Sequence, residues 1–160
     1  MRHFLLIIIF AISYAGFAQN VEPIQADRPD QTETPSLVPT GMFQLEAGFS
    51  YQRNRADSTS LALPSSLWKY GVNENFELRL ITELAVDNDF DQQTSGVNPI
   101  LIGCKIKIAE EKGIFPKTSF IGHMSIPNAA STPYKTEFYA PEFRFVMQHT
   151  LSERFSLSYN

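Results

Sequence analysis

The sequence predicts an all-β fold, an antiparallel transmembrane β-barrel of the outer-membrane type. Three observations indicate it. Apolar residues recur at every second position from Met42 onward, polar connections of alternating length separate these runs, and aromatic residues stand near the ends of the runs. About seven strands are visible, and we interpret them as part of a larger barrel, because single-chain bacterial barrels have an even number of strands.

The first residues have the pattern of an export signal. Arg2 and His3 precede the apolar run 4–12, and Gly16 and Ala18 supply small residues for a signal peptidase. We therefore expect a signal peptide over residues 1–18, cleaved after Ala18. A membrane anchor is the alternative, but the run is shorter than the ~20 apolar residues that a spanning helix needs.

Composition argues against several other classes of protein. With 43% hydrophobic residues among 160, the chain is too apolar for a disordered protein. Its formal net charge of -4, without a basic cluster, gives no basis for binding nucleic acid. Cys104 is the single cysteine, so no internal disulfide is available to the exported chain.

Residues 19–41 precede the first strand and are rich in proline. Pro23, Pro29, Pro35 and Pro39 make regular structure unfavourable there. We expect this segment to be a periplasmic linker, a short plug, or a cover for the mouth of the barrel. Residues 42–160 are then the barrel itself, incomplete at its C-terminal end.

The predicted strands follow in order from Phe43, with polar residues between the apolar ones. In the second run, Leu61 and Trp68 fall on opposite phases, which predicts a bulge near Pro64. The apolar sets of the other strands are Phe43, Leu45, Ala47, Phe49 and Tyr51; Phe76, Leu78, Leu80, Leu84 and Val86; Ile100, Ile102, Cys104, Ile106 and Ile108; Phe120, Gly122, Met124 and Ile126; Phe143, Phe145 and Met147; and Phe155, Leu157 and Tyr159.

The connections between the strands alternate in length. Long polar stretches are expected at 52–60, 87–96 and 128–136, and shorter turns at 71–75, 109–116 and 151–154. Outer-membrane barrels have this asymmetry, with short periplasmic turns and longer external loops. It favours a membrane barrel over a soluble β-sandwich or a lipocalin-like barrel.

The second face of the predicted strands carries charges of both signs among small residues. We expect this face to surround a hydrated interior, although a solvated outer face is the alternative. Under a second alternative the charges only neutralise one another, because buried charges must be paired or hydrated. The residues expected to line the pore are Glu46, Glu77, Arg79, Glu83, Lys105, Lys107, His123, Glu142 and Arg144.

Six stretches of the chain have the sequence of a known family. They are Asp27-Arg28-Pro29-Asp30-Gln31-Thr32-Glu33, residues 41–49, Lys69-Tyr70-Gly71, Phe76-Glu77-Leu78-Arg79, Ile102-Gly103-Cys104-Lys105 and Pro141-Glu142-Phe143-Arg144. In these stretches the chain resembles the outer-membrane transporter-like family named for the MetA pathway of phenol degradation. The resemblance implies an outer-membrane β-barrel that moves small molecules such as aromatic compounds, with no established catalytic residues. Members of that family are longer, and this chain stops at Asn160 inside a predicted strand, so we expect a truncated sequence.

These observations together predict a passive channel or transporter in the bacterial outer membrane. Its partners would be outer-membrane lipids, a small hydrophobic or aromatic solute and, during insertion, the barrel-assembly machinery, with no nucleic acid and no cofactor. One alternative is a non-conducting structural or ligand-binding barrel, whose interior is filled by side chains. Another is a soluble secreted binding protein.

Two further groups of residues have the composition of a catalytic site and of a calcium site. His123 and Ser125 with a later Glu137 or Glu142 could form a hydrolase acting on lipid, but no nucleophile elbow accompanies them, and we expect no enzyme activity. Asp87, Asn88, Asp89 and Asp91 could bind calcium, but they lack the central glycine and the final glutamate of an EF-hand. An acidic external loop is the preferred interpretation, and no metal is expected.

Overall fold

A computed structural model describes residues 24–27, 33–53, 58–89 and 92–160. These residues form an antiparallel sheet that curls into part of a barrel, which confirms the predicted all-β class. The predicted signal peptide, residues 1–18, lies outside the described residues. So do residues 28–32 of the proline-rich segment and Asp91 of the acidic stretch.

Eight strands make up the sheet, and each pairs antiparallel with its neighbours. The path across the sheet is β1-β2-β3-β5-β6-β7-β8, and β4 pairs with β3 beside that path. The strands are β1 (Phe43–Arg53), β2 (Thr59–Asn73), β3 (Phe76–Asp89), β4 (Gln92–Val97), β5 (Ile100–Ala109), β6 (Lys117–Ile126), β7 (Ala140–Ser152) and β8 (Phe155–Tyr159).

The seven predicted strands are the seven strands of this path, and β4 is additional. The stretch 87–96 was expected to be a long polar loop, and that prediction is wrong. Asp87 pairs with Thr94 and Asp89 pairs with Gln92, so the stretch extends β3 and returns along it as β4. The sequence of β4, QQTSGV, has no apolar alternation, and none of its residues is buried.

The predicted bulge near Pro64 is confirmed. The register of β2 shifts between Ala62 and Ser65, both against β3 and against β1. Proline has no N–H to donate to a ladder, so an interruption at this position is expected. The shift changes the phase of the strand, so that Leu61 and Trp68 project from the same face of the sheet.

The two faces of the sheet differ in chemistry and in exposure. We call the face that contacts the N-terminal residues the inner face, and the opposite one the outer face. Glu77 and Lys105 on the inner face are fully buried, whereas Phe143 on the outer face is 72% exposed. Inner-face apolar residues such as Ile121 and Val146 are also fully buried. The buried interior is therefore a mixture of apolar side chains and paired charges.

The connection between β6 and β7 contains two short 3-10 turns, Pro127–Ala129 and Thr132–Tyr134. The hydroxyl of Tyr134 donates a hydrogen bond to Asp87 Oδ2 at 2.8 Å, which joins this connection to the end of β3. Within the described ranges, no helix has the length and apolar character needed to cross a membrane.

Candidate functional site on the inner face

The described residues of the proline-rich stretch, 24–27 and 33–41, lie against the inner face. We call them the N-terminal segment. Ser119 Oγ on β6 donates to the carbonyl of Pro35 at 2.6 Å, and Val38 N–H donates to Glu77 Oε2 on β3 at 2.7 Å. Lys117 on β6 donates to Ser36 Oγ at 3.2 Å. The segment is thus attached to the inner face at β3 and β6, and the linker, plug and cover alternatives stay predictions.

A tight turn carries the N-terminal segment into β1. Gly41 has a φ of 75°, a conformation that glycine adopts without strain. Its N–H donates to the carbonyl of Gly71 at 2.7 Å, and Gly71 N–H donates to the carbonyl of Met42 at 3.0 Å. A Cβ at Gly71 would collide with the carbonyl oxygens of Val38 and Pro39. Glycine at position 71 therefore permits the close approach of the segment to β2.

Asp27 lies at the centre of the contacts between the segment and the sheet. Its Oδ2 lies 3.1 Å from Lys69 Nζ, 3.3 Å from Arg79 Nη2 and 3.4 Å from Lys105 Nζ. These three cations come from the adjacent strands β2, β3 and β5, and we call them the cation cluster. Asp27 N–H also donates to Glu46 Oε2 at 3.0 Å. The strands thus present three positive charges to a single carboxylate oxygen.

The charge of Asp27 depends on two opposing effects. Burial raises the pKa of this carboxyl, since the ionised form loses its hydration. Lys105, Lys69 and Arg79, with a hydrogen bond from the Thr34 N–H, outweigh burial and lower the pKa of Asp27 from 3.8 to about 2. The carboxylate is therefore ionised at neutral pH.

Glu33 makes a second ionic contact between the segment and the sheet. Its Oε2 lies 2.6 Å from Arg79 Nη1, and its Oε1 lies 3.5 Å from Arg144 Nη1 on β7. Arg144 also pairs with Glu142 on the same strand, and Lys69 also pairs with Glu46 on β1. The two acids of the segment are therefore held by cations from four strands.

Several buried polar atoms beside this network have no hydrogen-bond partner among the described residues. They are Glu77 Oε1, Arg79 Nε and both ring nitrogens of His123. His123 is only 5% exposed, and a Cβ at Gly103 on the neighbouring strand would collide with its ring. Glycine at position 103 thus leaves room for the imidazole. Since neither ring nitrogen bonds to Ser125, the hydrogen bond that a Ser-His pair requires is not formed here.

An open cavity of about 1120 Å³ adjoins the ion network on the inner face. Glu83 on its wall accepts hydrogen bonds from Ser65 Oγ and Asn98 Nδ2, both at 2.7 Å. The charged side chains around this cavity are Asp27, Glu33, Glu46, Arg79, Glu83, Glu142 and Arg144. A solute inside the cavity would therefore meet charges of both signs.

All nine residues expected to line the pore project from the inner face, as the strand register shows. Five of them, Glu46, Glu77, Arg79, Lys105 and Arg144, belong to the ion network, and Glu142 pairs with Arg144. Glu83 lines the cavity, His123 is buried beside Gly103, and Lys107 pairs with Glu110 near the end of β5 at 2.9 Å.

Three residues of the network were not predicted as site residues: Asp27, Glu33 and Lys69. The first two stand in a proline-rich stretch that has no periodicity to assign them to a face. Lys69 follows the bulge at Pro64, which obscured the register of its strand. Among the described residues, no group of histidine, cysteine, aspartate and glutamate is arranged to hold a metal ion.

A known protein family matches both the N-terminal segment and the sheet. A family model described as the MetA-pathway of phenol degradation matches residues 26–160. The match includes Asp27 and Glu33 of the N-terminal segment as well as all eight strands. No curated protein and no solved structure matches the chain significantly.

Proposed function

The chain belongs to the family of the MetA-pathway of phenol degradation, and from this premise we propose that it is an outer-membrane channel. It lets small hydrophobic or aromatic solutes cross by passive diffusion and performs no catalysis. The observation that carries the proposal is the sidedness of the sheet, which places charges inside and large apolar side chains outside.

The outer face supports a location in lipid. Phe43 on β1, Phe143 on β7 and Phe155 on β8 are each more than 60% exposed, and apolar side chains occupy most positions between them. An apolar surface that extends over seven strands is larger than the patches of a few hundred Å² that soluble monomers tolerate. In a bilayer the exposure of this surface carries no free-energy penalty, because acyl chains are as apolar as the side chains.

The inner face supports a polar interior. A small soluble barrel packs apolar side chains inside, whereas Glu77, Arg79 and Lys105 lie on the inside of this sheet. The adjoining cavity is lined by charged groups and by Leu67 and Ile81, so it offers both polar and apolar contacts to a solute. The proposal of passive passage needs no catalytic group, and the buried His123 has no hydroxyl partner among the described residues.

One observation favours a second candidate, a non-conducting structural or ligand-binding barrel. The N-terminal segment covers the inner face between Lys69 on β2 and Ser119 on β6. A barrel that kept the segment in this position would be narrowed at the level of the cation cluster. The two candidates therefore differ in whether current passes through the inserted protein.

Planar-bilayer recording on the purified full-length protein separates the two candidates. Steady unitary currents are expected for a channel, and their absence in correctly inserted protein would favour the non-conducting barrel. Insertion is checked with spin labels at Ile102 on the outer face and Ser50 on the inner face. A lipid-soluble relaxer should affect the first label and a water-soluble relaxer the second, and the reverse pattern would refute the assignment of the faces.

A further inference from the structure

We propose that the cation cluster Lys69, Arg79 and Lys105 is a binding site for the carboxylate group of a small organic anion. Asp27 occupies this site as an internal competitor and leaves when the anion binds. The inference rests on the proposed function, because the anion reaches the cluster from the interior of the barrel.

The cation cluster already binds one carboxylate, that of Asp27. Three cationic groups from three adjacent strands lie 3.1 to 3.4 Å from one oxygen of Asp27. Each of the three side chains is at most 3% exposed, so packing holds them in place before any ligand arrives. Charge-assisted hydrogen bonds of this kind are about twice as strong as neutral ones.

Without Asp27, Lys105 would have no ion-pair partner among the described residues. Lys69 would keep Glu46, and Arg79 would keep Glu33 at 2.6 Å, with Glu77 Oε1 3.8 Å from its Nε. Lys105 is fully buried, and a buried charge without a partner is strongly unfavourable. Asp27 is the ion-pair partner of Lys105 among the described residues, and any carboxylate in the same place would serve equally.

The cluster also has hydrogen-bonding capacity that Asp27 does not use. Arg79 Nε is buried, lies 3.8 Å from Glu77 Oε1 and donates no hydrogen bond among the described residues. A ligand with a second acceptor beside its carboxylate could bind that donor.

The cavity gives a free anion access to this site. Asp27 and Arg79 both line it, so a solute in the cavity is in contact with the cluster's edge. Its volume of about 1120 Å³ leaves ample room for a single-ring carboxylate. Asp27, Pro35 and Val38 are attached to the sheet through side chains of the strands and not by a strand ladder, so releasing these three contacts breaks no sheet pairing.

Two measurements on the full-length protein in lipid vesicles test the proposal, with benzoate as the probe and uncharged benzamide as its control. A spin label at Ala26, in a Cys104→Ala background, reports whether the segment moves. Benzoate should mobilise the label in a saturable way, and benzamide should not. Equal effects of the two compounds would overturn the proposal, because recognition would then not depend on the carboxylate.

Calorimetry of benzoate binding tests the competition directly. Asp27→Asn removes the internal carboxylate and should tighten benzoate binding by about tenfold or more, the size of one charge-assisted contact. Asp87→Asn is the matched control, because the Asp87 carboxylate accepts a hydrogen bond from the Tyr134 hydroxyl and does not line the cavity, and this variant should bind benzoate as the wild type does. Unchanged affinity in Asp27→Asn would refute Asp27 as a competitor.

A further pair of variants tests the role of the cluster. In the Asp27→Asn background, Lys105→Met should weaken benzoate binding by about tenfold, and Lys105→Arg should retain it. Loss in both variants, or in neither, would contradict the assignment of Lys105. The channel proposal can fail separately from the anion-binding proposal. In that case unitary current would be absent while benzoate still bound.

Discussion

Lys105 and Asp27 form an ion pair across 78 residues of sequence, with 3.4 Å between Nζ and Oδ2. The lysine side chain lies in the middle of β5 and is fully buried, and the aspartate belongs to a segment without strand structure. The pair places Asp27 against the inner face of the sheet. The cations of the inner face neutralise the acids of the N-terminal segment, and those acids in turn neutralise buried cations.

Asp27→Asn should therefore destabilise the folded protein. Breaking a buried ion network by removing one partner costs about 3–5 kcal/mol, because the remaining charges stay buried without compensation. The free energy of unfolding by urea in lipid vesicles measures the loss. Glu83→Gln removes a carboxylate that bonds only neutral groups in the described contacts, and it should cost about 1 kcal/mol. Equal losses in the two variants would mean that the cation cluster does not depend on Asp27.

Acid should release the N-terminal segment only at very low pH. The pKa of Asp27 in the folded protein, about 2, lies below its ordinary value of 3.8. Its ionised form therefore stabilises the docked segment fully above pH 3.8, and this contribution is lost as the pH falls through about 2.

The mobility of a spin label at Ala26 follows this titration in the wild type and in Asp27→Asn. The difference in label mobility between the wild type and Asp27→Asn should be constant from pH 7 to about 4. It should be lost as the pH falls from about 4 to about 2. A difference that already disappears at pH 5 would show that Asp27 is not held by the cluster.

Gly71→Ala should disturb the turn that leads into β1. The added Cβ would collide with the backbone carbonyls of Val38 and Pro39, which cannot rotate away as a side chain can. Such overpacking costs about 1–3 kcal/mol. Gly48→Ala on β1 is the control, since a Cβ there meets nothing within 4 Å, and its effect should stay within about 0.5 kcal/mol. Unfolding in urea compares the two variants, and a neutral Gly71→Ala would contradict the described contact.

Phe145→Arg tests whether the outer face lies in lipid. Phe145 is in the interior of β7 and its ring centroid lies 5.3 Å from that of Phe120 on β6. An arginine on the lipid-facing side of a barrel costs about 2–4 kcal/mol near the centre of the bilayer. The same substitution at Phe138, exposed in the connection before β7, should change stability little. Unfolding from lipid vesicles gives both values, and equal stability of the two variants would argue against a lipid-facing β7.

Much of the sheet could be predicted because β-strand side chains alternate strictly between two faces. Phe143 and Phe145 identify one face of β7 from sequence alone, and Glu142 and Arg144 identify the other. The bulge at Pro64 was also predictable, since the change of phase between Leu61 and Trp68 coincides with a residue that lacks an N–H. The strand β4 was missed because polar residues in an exposed hairpin extension have no apolar face to reveal them.

The sequence by itself determined the strand positions, the two contrasting faces and the set of charges on one of them, because these depend on local periodicity. Only the tertiary structure decided that Asp27 and Glu33 return to that face and meet Lys69, Arg79 and Lys105 there. Contacts between residues so far apart depend on the path of the chain and on the curvature of the sheet. A proline-rich segment has no repeating pattern from which that path could be inferred.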